Sequence, residues 1–123
     1  MNDTLFINLT NHPISNWSAE QIMAAKQMGR IVEIPFPVVS PKATTEEIQS
    51  LADKQVESIL RVAEDARIIT VHVMGELTLT YAIVTRLKTK GIRCVASTTI
   101  RNVEQMPDGR KISDFNFVQF RGY

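Results

Sequence analysis

The sequence predicts an α/β fold: a Rossmann-like, doubly wound, mainly parallel sheet with helices on both faces and a C-terminal β-hairpin at one edge. Short apolar runs rich in β-branched residues alternate with segments of helical periodicity. Strands and helices that alternate in this way form right-handed parallel crossovers. The last part of the chain breaks the alternation, because two strand-like runs flank Pro107-Asp108-Gly109, which is typical of a hairpin turn.

Local signals mark where the elements begin. The runs that predict parallel strands are residues 5–9, 30–36, 67–73 and 92–96. A helix begins at Ser18, which precedes Gln21 by three residues, and a longer helix begins at Thr44, which stands in the same relation to Glu47. Gly29 suits the C-terminal cap of the first helix. A third helix follows the third strand, and its predicted inward residues are Leu79, Ala82, Ile83 and Leu87.

Length and composition predict one domain over residues 1–123. A chain of 123 residues with 44% hydrophobic content can bury a continuous core, and it contains no linker or internal repeat. No apolar run approaches the ~18 residues of a membrane span, and the N-terminus lacks the basic region of a signal peptide. We therefore expect a cytoplasmic protein with no membrane partner. The single Cys94 lies in an apolar strand and is interpreted as a packing residue.

Charge is distributed unevenly along the chain. The net charge is +1, which does not favour long nucleic acid or an anionic membrane as a partner. Residues 1–65 carry five basic and nine acidic side chains, a net charge of −4, whereas residues 66–123 carry nine basic and four acidic, a net charge of +5. A small anionic ligand would be favoured by the second half.

Two loops are candidates for a ligand site, because open parallel sheets bind ligands at the carboxyl ends of strands where the strand order reverses. They are TNHPISNW after the first strand and MGEL after the third. The helix behind MGEL presents free amides and a partial positive charge, and Gly75 lets a phosphate approach the backbone. A tight turn capped by Glu76 or Thr78 explains the same residues. Neither a dinucleotide fingerprint nor a P-loop is present.

Two histidines have different predicted roles. His12 could act as acid, base or phosphate donor, or could be a turn residue before Pro13 with no role. His72 lies inside the third strand and is interpreted as a structural histidine. The sequence has no Cys/His cluster with zinc spacing and no Asp-rich loop, so we expect neither a metal nor a cofactor.

The predicted hairpin contains cationic and aromatic side chains. Arg101 is close to the end of the fourth strand and could clamp a phosphate, whereas Arg110 and Lys111 are interpreted as a solvated surface. The aromatic residues at strand spacing indicate core or a dimer interface more than a base-stacking platform. They are Phe115, Phe117 and Phe120.

Four segments carry a family resemblance: LFINLTNHP, the G-E-x-x-x-T-Y element at Gly75, Glu76, Thr80 and Tyr81, the A-S-T-T-x-R element at residues 96–101, and FVQFRGY. With these segments the chain resembles small CRISPR-associated proteins with a Rossmann-like fold of the CARF type, including stand-alone ring nucleases. The resemblance implies binding of cyclic oligoadenylate, the four-membered ring, across a homodimer. It also implies an antiviral hydrolase that cleaves the ring and switches off type III CRISPR signalling.

Under this resemblance the site residues follow from the loops described above. The expected catalytic residues are His12 and Glu76. The expected ligand-binding residues are Thr10, Asn11, Met74, Gly75, Thr78, Thr80, Thr98, Thr99 and Arg101. Cleavage by the ring's own 2′-hydroxyl would need orientation and donors for the developing charge rather than a metal.

Two other classes stay open from the sequence. The first is a non-catalytic sensor or sequestering module that holds cyclic oligoadenylate in the same pocket. The second is a structural or assembly subunit with no ligand. Separate substitution of His12 and Glu76 distinguishes the classes, because only an enzyme loses turnover while it keeps binding.

Overall fold

The structure is a computed structural model that describes residues 3–123. Its five strands form one sheet in the order β2-β1-β3-β4-β5, in which the first four are parallel and β5 is antiparallel to β4. The strands are β1 (Thr4–Thr10), β2 (Arg30–Glu33), β3 (Ile68–Met74), β4 (Arg93–Gln105) and β5 (Lys111–Gly122). The helices are α1 (Ala19–Met28), α2 (Thr45–Val62) and α3 (Leu77–Thr89), and a 3₁₀ turn spans Ile14–Asn16. The predicted Rossmann-like α/β fold is confirmed.

The two faces of the sheet carry different cores, because successive side chains of a strand point to opposite faces. On one face α2 and α3 cover an aliphatic core that includes Leu5, Ile7 and Leu9 of β1. On the other face α1 covers a smaller cluster around Phe6, whose other buried members are Trp17, Ala25, Val95 and Phe120. The four inward residues predicted for the third helix are all buried, and so is Cys94.

The predicted helix ends are confirmed by hydrogen bonds. Ser18 Oγ accepts from the Gln21 amide at 3.2 Å, which begins α1. Thr44 and Glu47 form a reciprocal capping box with two bonds of 3.1 Å each. Gly29 ends α1 with a φ of 148°, and a Cβ there would lie 2.7 Å from the Thr4 carbonyl carbon. Only glycine therefore fits between α1 and β1.

Two strand lengths differ from the prediction. The second strand ends at Glu33 rather than at residue 36, although the Ile34 and Phe36 amides still donate to Asn8 O at 2.9 Å and to Thr10 O at 3.3 Å. The fourth strand was expected to end at residue 96, yet β4 continues without a break to Gln105. It continues because β5 pairs with it from Val95 to Gln105, with a shift in register between Thr98 and Thr99.

The β-arm, defined here as residues 99–118, is the outer part of the β4–β5 ribbon. Its turn is the predicted one, in which the Gly109 amide donates to Met106 O at 2.9 Å and Gly109 adopts a φ of 90°. β3 pairs with β4 only at Arg93–Val95, so the arm extends past the parallel part of the sheet. Several large apolar side chains of the arm are exposed, namely Ile100, Val103, Ile112, Phe115 and Val118.

We expect Thr44→Ala to lower the free energy of unfolding by about 1 kcal/mol, because the Glu47 amide loses its only capping acceptor at the start of α2. The measurement is urea denaturation followed by far-UV circular dichroism. Thr45→Ala, one residue inside the same helix, is the matched control and should change stability by much less. Equal losses in the two variants would contradict the capping role.

Candidate functional site

The strand order reverses at β1, since the chain runs from β1 to its neighbour β2 on one side and returns to β3 on the other. The carboxyl ends of β1 and β3 stay joined at this point by a 3.4 Å bond from the Asn11 amide to Met74 O. The loops that follow these two strands then diverge towards α1 and α3. This is the position at which open α/β sheets bind ligands.

The fully buried side chain of Asn8 organises the loop after β1. Its amide nitrogen donates to His12 O and to Glu33 Oε2, each at 3.2 Å. Because both of those atoms are acceptors, the Asn8 amide orientation is determined, and Oδ1 must accept. The groups that face Oδ1 are the Thr10 hydroxyl and Nδ1 of His72, each at 3.0 Å.

The same network holds the main chain of His12 from several sides. His12 O accepts from Trp17 Nε1 at 3.0 Å and lies 3.0 Å from the Thr10 hydroxyl. The His12 amide donates to that hydroxyl at 3.1 Å. Glu33 also accepts from the Ile14 amide at 2.6 Å, which closes the loop against β2. The backbone of His12 is thus anchored to buried groups, whereas its imidazole is on the surface.

That imidazole lines a cleft of about 580 Å³ on the α1 side of the sheet. One wall comes from the loop and the start of α1 and contains Asn16, Trp17, Ser18, Glu20 and Gln21. The other wall comes from β4 and β5 and contains Ser97, Thr99, Phe115, Asn116 and Phe117. The volume is within the range of small-molecule sites. An acid–base side chain, three hydroxyl side chains and aromatic rings therefore meet in one cleft.

His72 lies in the core beside this cleft and is 1% exposed. The rings of Phe6, Trp17 and Phe120 are 5.0 to 6.1 Å from its ring centre. Burial, followed by the charge of the nearby His12, lowers the pKa of His72 to about 4, so the ring is neutral at pH 7. Since Asn8 Oδ1 is an acceptor, Nδ1 carries the proton. The predicted structural role is consistent with this full burial.

Glu76 caps α3 with its own carboxylate. Its Oε1 accepts from the Leu79 amide at 2.8 Å and from the Thr78 hydroxyl at 2.6 Å. The Thr78 bond and then the Leu79 bond hold the pKa of this exposed carboxyl below its usual range. An ionised carboxylate thus occupies the place that a phosphate would take at this helix end. The capping alternative is observed, and the acid–base role stays a prediction.

The side chain of Phe36 packs closely against Gly75. A Cβ at this position would overlap the ring of Phe36, which follows β2. The absence of a side chain at Gly75 is therefore explained by close packing against Phe36. A ligand is not needed to account for this glycine.

The other predicted site residues are spread over several surfaces. Thr99 lines the cleft with His12, while Asn11 and the buried Thr10 border a separate recess of about 180 Å³. The sulfur of Met74 accepts from the amide and hydroxyl of Ser97 at 3.3 and 3.2 Å. Thr80 is 9% exposed, and its hydroxyl has no partner among the described residues.

Two further predicted residues lie on the ribbon of β4 and β5. The Thr98 hydroxyl donates to Gln119 O at 3.3 Å. The guanidinium of Arg101 lies 5.9 Å from the ring centre of Phe115 and donates to Ser113 Oγ at 3.2 Å. Arg101 is thus on the same face of the arm as Phe115, outside the lining of the cleft.

Sequence reasoning did not select several residues of the cleft. Trp17 lies in the predicted TNHPISNW loop but was given no role, Gln21 was interpreted only as a signal for the start of α1, and Ser97 was not selected from the A-S-T-T segment. Gln21 could have been predicted, because the loop that leaves β1 must pass the carboxyl end of the sheet before α1 begins.

Other recesses offer less chemistry. A groove of about 410 Å³ lies between residues 38–43 and α2, and its charged side chains are Glu46, Glu47 and Lys54. Glu47 is already used in the capping box. Within residues 3–123 no three His, Cys, Asp or Glu side chains are grouped closely enough to hold a metal ion. No helix in that range has the length and apolarity needed to cross a membrane.

We expect His72 to make stability depend on pH. The unfolded chain takes up a proton below pH 6.5, whereas folded His72 does so only near pH 4, so the free energy of unfolding falls across this window as pH is lowered. The loss should reach up to about 3 kcal/mol. Denaturation from pH 7 to pH 4 measures it, and His72→Asn, which keeps an amide donor for Asn8, should show a smaller slope. Equal slopes would contradict the assignment.

We expect Gly75→Ala to lower the free energy of unfolding by about 1–3 kcal/mol, because the added methyl overlaps the Phe36 ring. In a Phe36→Leu background the same substitution should lower the free energy of unfolding by less, because the smaller leucine side chain can move away from the added methyl. A double-mutant cycle by chemical denaturation measures this coupling. Equal costs in both backgrounds would show that Phe36 does not require the glycine.

Comparison with known protein families assigns the chain to a family by its sequence. The sequence profile of the family described as "Uncharacterized protein MJ1673 family" matches residues 4–121, which covers all five strands almost completely. Neither a curated protein nor a solved structure matches the chain. Because the match spans nearly the whole chain, the protein belongs to the Uncharacterized protein MJ1673 family.

Proposed function

We propose that the protein is a cytoplasmic ring nuclease that binds cyclic tetra-adenylate across a homodimer and ends type III CRISPR signalling by cleaving it. The observation that carries the proposal is the anchored His12, whose imidazole shares a cleft with Ser97 and Thr99 at the reversal of strand order. The ligand class itself comes from the resemblance of the loop and strand segments described above.

The proposed reaction is an internal transesterification. The ring's 2′-hydroxyl attacks the adjacent phosphorus, a 2′,3′-cyclic phosphate forms, and the bond to the 5′-oxygen of the next nucleotide breaks. The proton lost by the 2′-hydroxyl is balanced by the proton gained by the leaving 5′-oxygen. His12 can serve either transfer, because an imidazole has one ring nitrogen that can accept a proton and one that can donate.

In the proposed mechanism, the rest of the rate enhancement comes from the positions of the groups that surround the ligand. The main chain of His12 is held by Asn8, Thr10 and Trp17, so the loop needs little rearrangement on binding and only the exposed imidazole has to be ordered by the ligand. The hydroxyl of Thr99 on the opposite wall is a donor that can face a phosphate oxygen as charge develops, whereas the neighbouring Ser97 hydroxyl donates to the Met74 sulfur at 3.2 Å. This arrangement uses the cleft, whereas the end of α3 is already capped by Glu76.

A homodimer suits the proposed ligand. A ring of four identical nucleotides has rotational symmetry, and a two-fold dimer presents the same cleft twice. Each protomer then needs to contact only half of the ring. Residues 66–123 carry a net charge of +5, which favours an anionic ligand on that half of the chain, although the described lining of the cleft itself contains Glu20 and no lysine or arginine.

We expect His12→Ala to reduce cleavage of radiolabelled cyclic tetra-adenylate about 10²- to 10⁴-fold, the usual contribution of a general acid or base. The assay is run in EDTA and resolved on denaturing gels. The variant should fold normally, because the hydrogen bonds that anchor His12 use its main-chain N and O rather than its ring. Near-unchanged turnover by the folded variant would remove His12 from the mechanism.

Glu76→Gln distinguishes the capping role of that carboxylate from a catalytic role in the same cleavage assay. Glutamine keeps an oxygen acceptor for the Leu79 amide but cannot take up a proton. Normal turnover assigns Glu76 to capping alone, and a loss with intact folding assigns it to the chemistry. A wild-type protein that retains the ring on a native gel without cleaving it would instead be a sequestering module.

A further inference from the structure

The outer edge of β5 is unpaired along the β-arm. β5 is the last strand of the sheet, and its only strand partner within residues 3–123 is β4. In an antiparallel ribbon, alternate residues of the edge strand direct their N–H and C=O groups away from the partner strand. Apart from β4, no residue in that range forms a hydrogen bond to the main chain of residues 111–119. The arm therefore has a free hydrogen-bonding edge.

This edge has few of the features that prevent an exposed strand from pairing with another chain. Edge strands are usually protected by proline, by several charges or by a bulge. Residues 111–117 contain no proline and only two charged residues, Lys111 and Asp114. The bulge lies beyond them at Val118, which has no partner on β4. Phe115, in the middle of the segment, is 65% exposed. Residues 111–117 are thus open to pairing.

The two faces of the paired arm carry opposite charges. Arg101 is paired with Phe115, and Lys111 is four residues from Phe115, so both cations are on the Phe115 face. Glu104 and Asp114 are on the other face by the same alternation. A two-fold contact between two arms packed face to face would bring like charges together on either face. Pairing along the β5 edges avoids this repulsion.

The sequence of β5 is complementary to itself in one register. Opposite residues of an antiparallel pair point to the same face, so a two-fold axis perpendicular to the sheet must pass beside one residue, which then faces its own copy. With the axis at Phe115, the two Phe115 rings lie opposite each other, and Asp114 of one copy lies opposite Asn116 of the other. Aromatic pairs and polar pairs of this kind are favourable across strands.

The neighbouring registers are less favourable. An axis at Asp114 would place two carboxylates directly opposite each other. An axis at Ser113 or at Asn116 would place Asp114 opposite an apolar side chain. The axis at Phe115 leaves the two Asp114 side chains at diagonal positions, about 7–8 Å apart. Charge and polarity therefore select the register centred on Phe115.

We propose that a second copy of this chain pairs with the outer edge of β5, antiparallel and about a two-fold axis at Phe115, so that the two five-stranded sheets join into one. An axis perpendicular to the sheet keeps both clefts on the same face. Because Phe115 lines the cleft of its own chain, each copy then places a phenylalanine ring beside the cleft of the other. The inference goes beyond the proposed function, since it is argued from strand pairing alone and requires neither the ring nor its cleavage.

Sedimentation equilibrium over a concentration series of the wild type and its variants measures the dimer dissociation constant. Phe115→Lys places two ammonium groups opposite each other at the axis and should raise this constant at least about 10-fold. Val103→Lys is the matched control, because Val103 is 53% exposed on the same face of the arm but lies on β4, away from the edge. It should dimerise like the wild type. Far-UV circular dichroism checks that both variants are folded.

Two substitutions of Asn116 test the register. Asn116→Lys places a lysine opposite Asp114 of the second copy, twice in each dimer, and should lower the dissociation constant about 2- to 30-fold. Asn116→Asp places a carboxylate at the same point and should raise the constant by a similar factor. A change in the same direction for both variants would overturn the register.

The outcomes distinguish this inference from the proposed function. A wild type that stays monomeric throughout the series overturns the edge pairing, and so does an equal effect of Phe115→Lys and Val103→Lys. A dimer that neither variant weakens also overturns it, but leaves the homodimer of the proposed function to another surface. A dimer that responds as expected while the ring remains uncleaved supports the edge pairing and removes the nuclease function.

Discussion

The arrangement of the site depends on one buried side chain, Asn8. Its two amide atoms join β2, β3 and the loop after β1, through Glu33, His72 and the carbonyl of His12. A fully buried amide is tolerated only if its donors and acceptor are satisfied, so these partners must keep their positions together. The loop that carries His12 is therefore as well defined as the sheet on which it lies. An acid–base group on such a loop needs little reorganisation when a ligand binds.

The cleft forms because β4 continues past Val95, where its parallel pairing with β3 ends. Past Val95 the strand has only β5 as a neighbour, and the pair carries Thr99, Phe115 and Phe117 over the start of α1. A two-stranded ribbon alone is only marginally stable in water. The base of this ribbon is supported by the rings of Phe117, Phe120 and Trp17, which pack against one another at tilts of 54° and 57°. The same aromatic cluster thus stabilises the arm and forms the floor of the cleft.

The two loops at the reversal of strand order differ in which of their groups are already paired within the protein. After β3, the carboxylate of Glu76 satisfies the first turn of α3, and Phe36 fills the space above Gly75. The end of that helix is occupied by groups of the protein itself. After β1, the main-chain groups are satisfied internally and the imidazole of His12 is left free to face a ligand. The exposed imidazole therefore lies on the α1 side of the sheet, at the cleft.

The sequence by itself determined the fold class, the helix starts at Ser18 and Thr44, the hairpin turn and the buried role of His72, because each depends on local spacing or on the alternation of strands and helices. It also selected His12, which lies in the loop after β1, and Thr99, which follows the predicted end of the fourth strand but lies inside β4. Only the tertiary structure decided that β4 runs on into the arm, because strand length depends on a partner, β5, that is distant in sequence. It likewise decided that Trp17, Gln21 and Ser97 share a cleft with His12, since residues from β1, α1, β4 and β5 meet there only through packing.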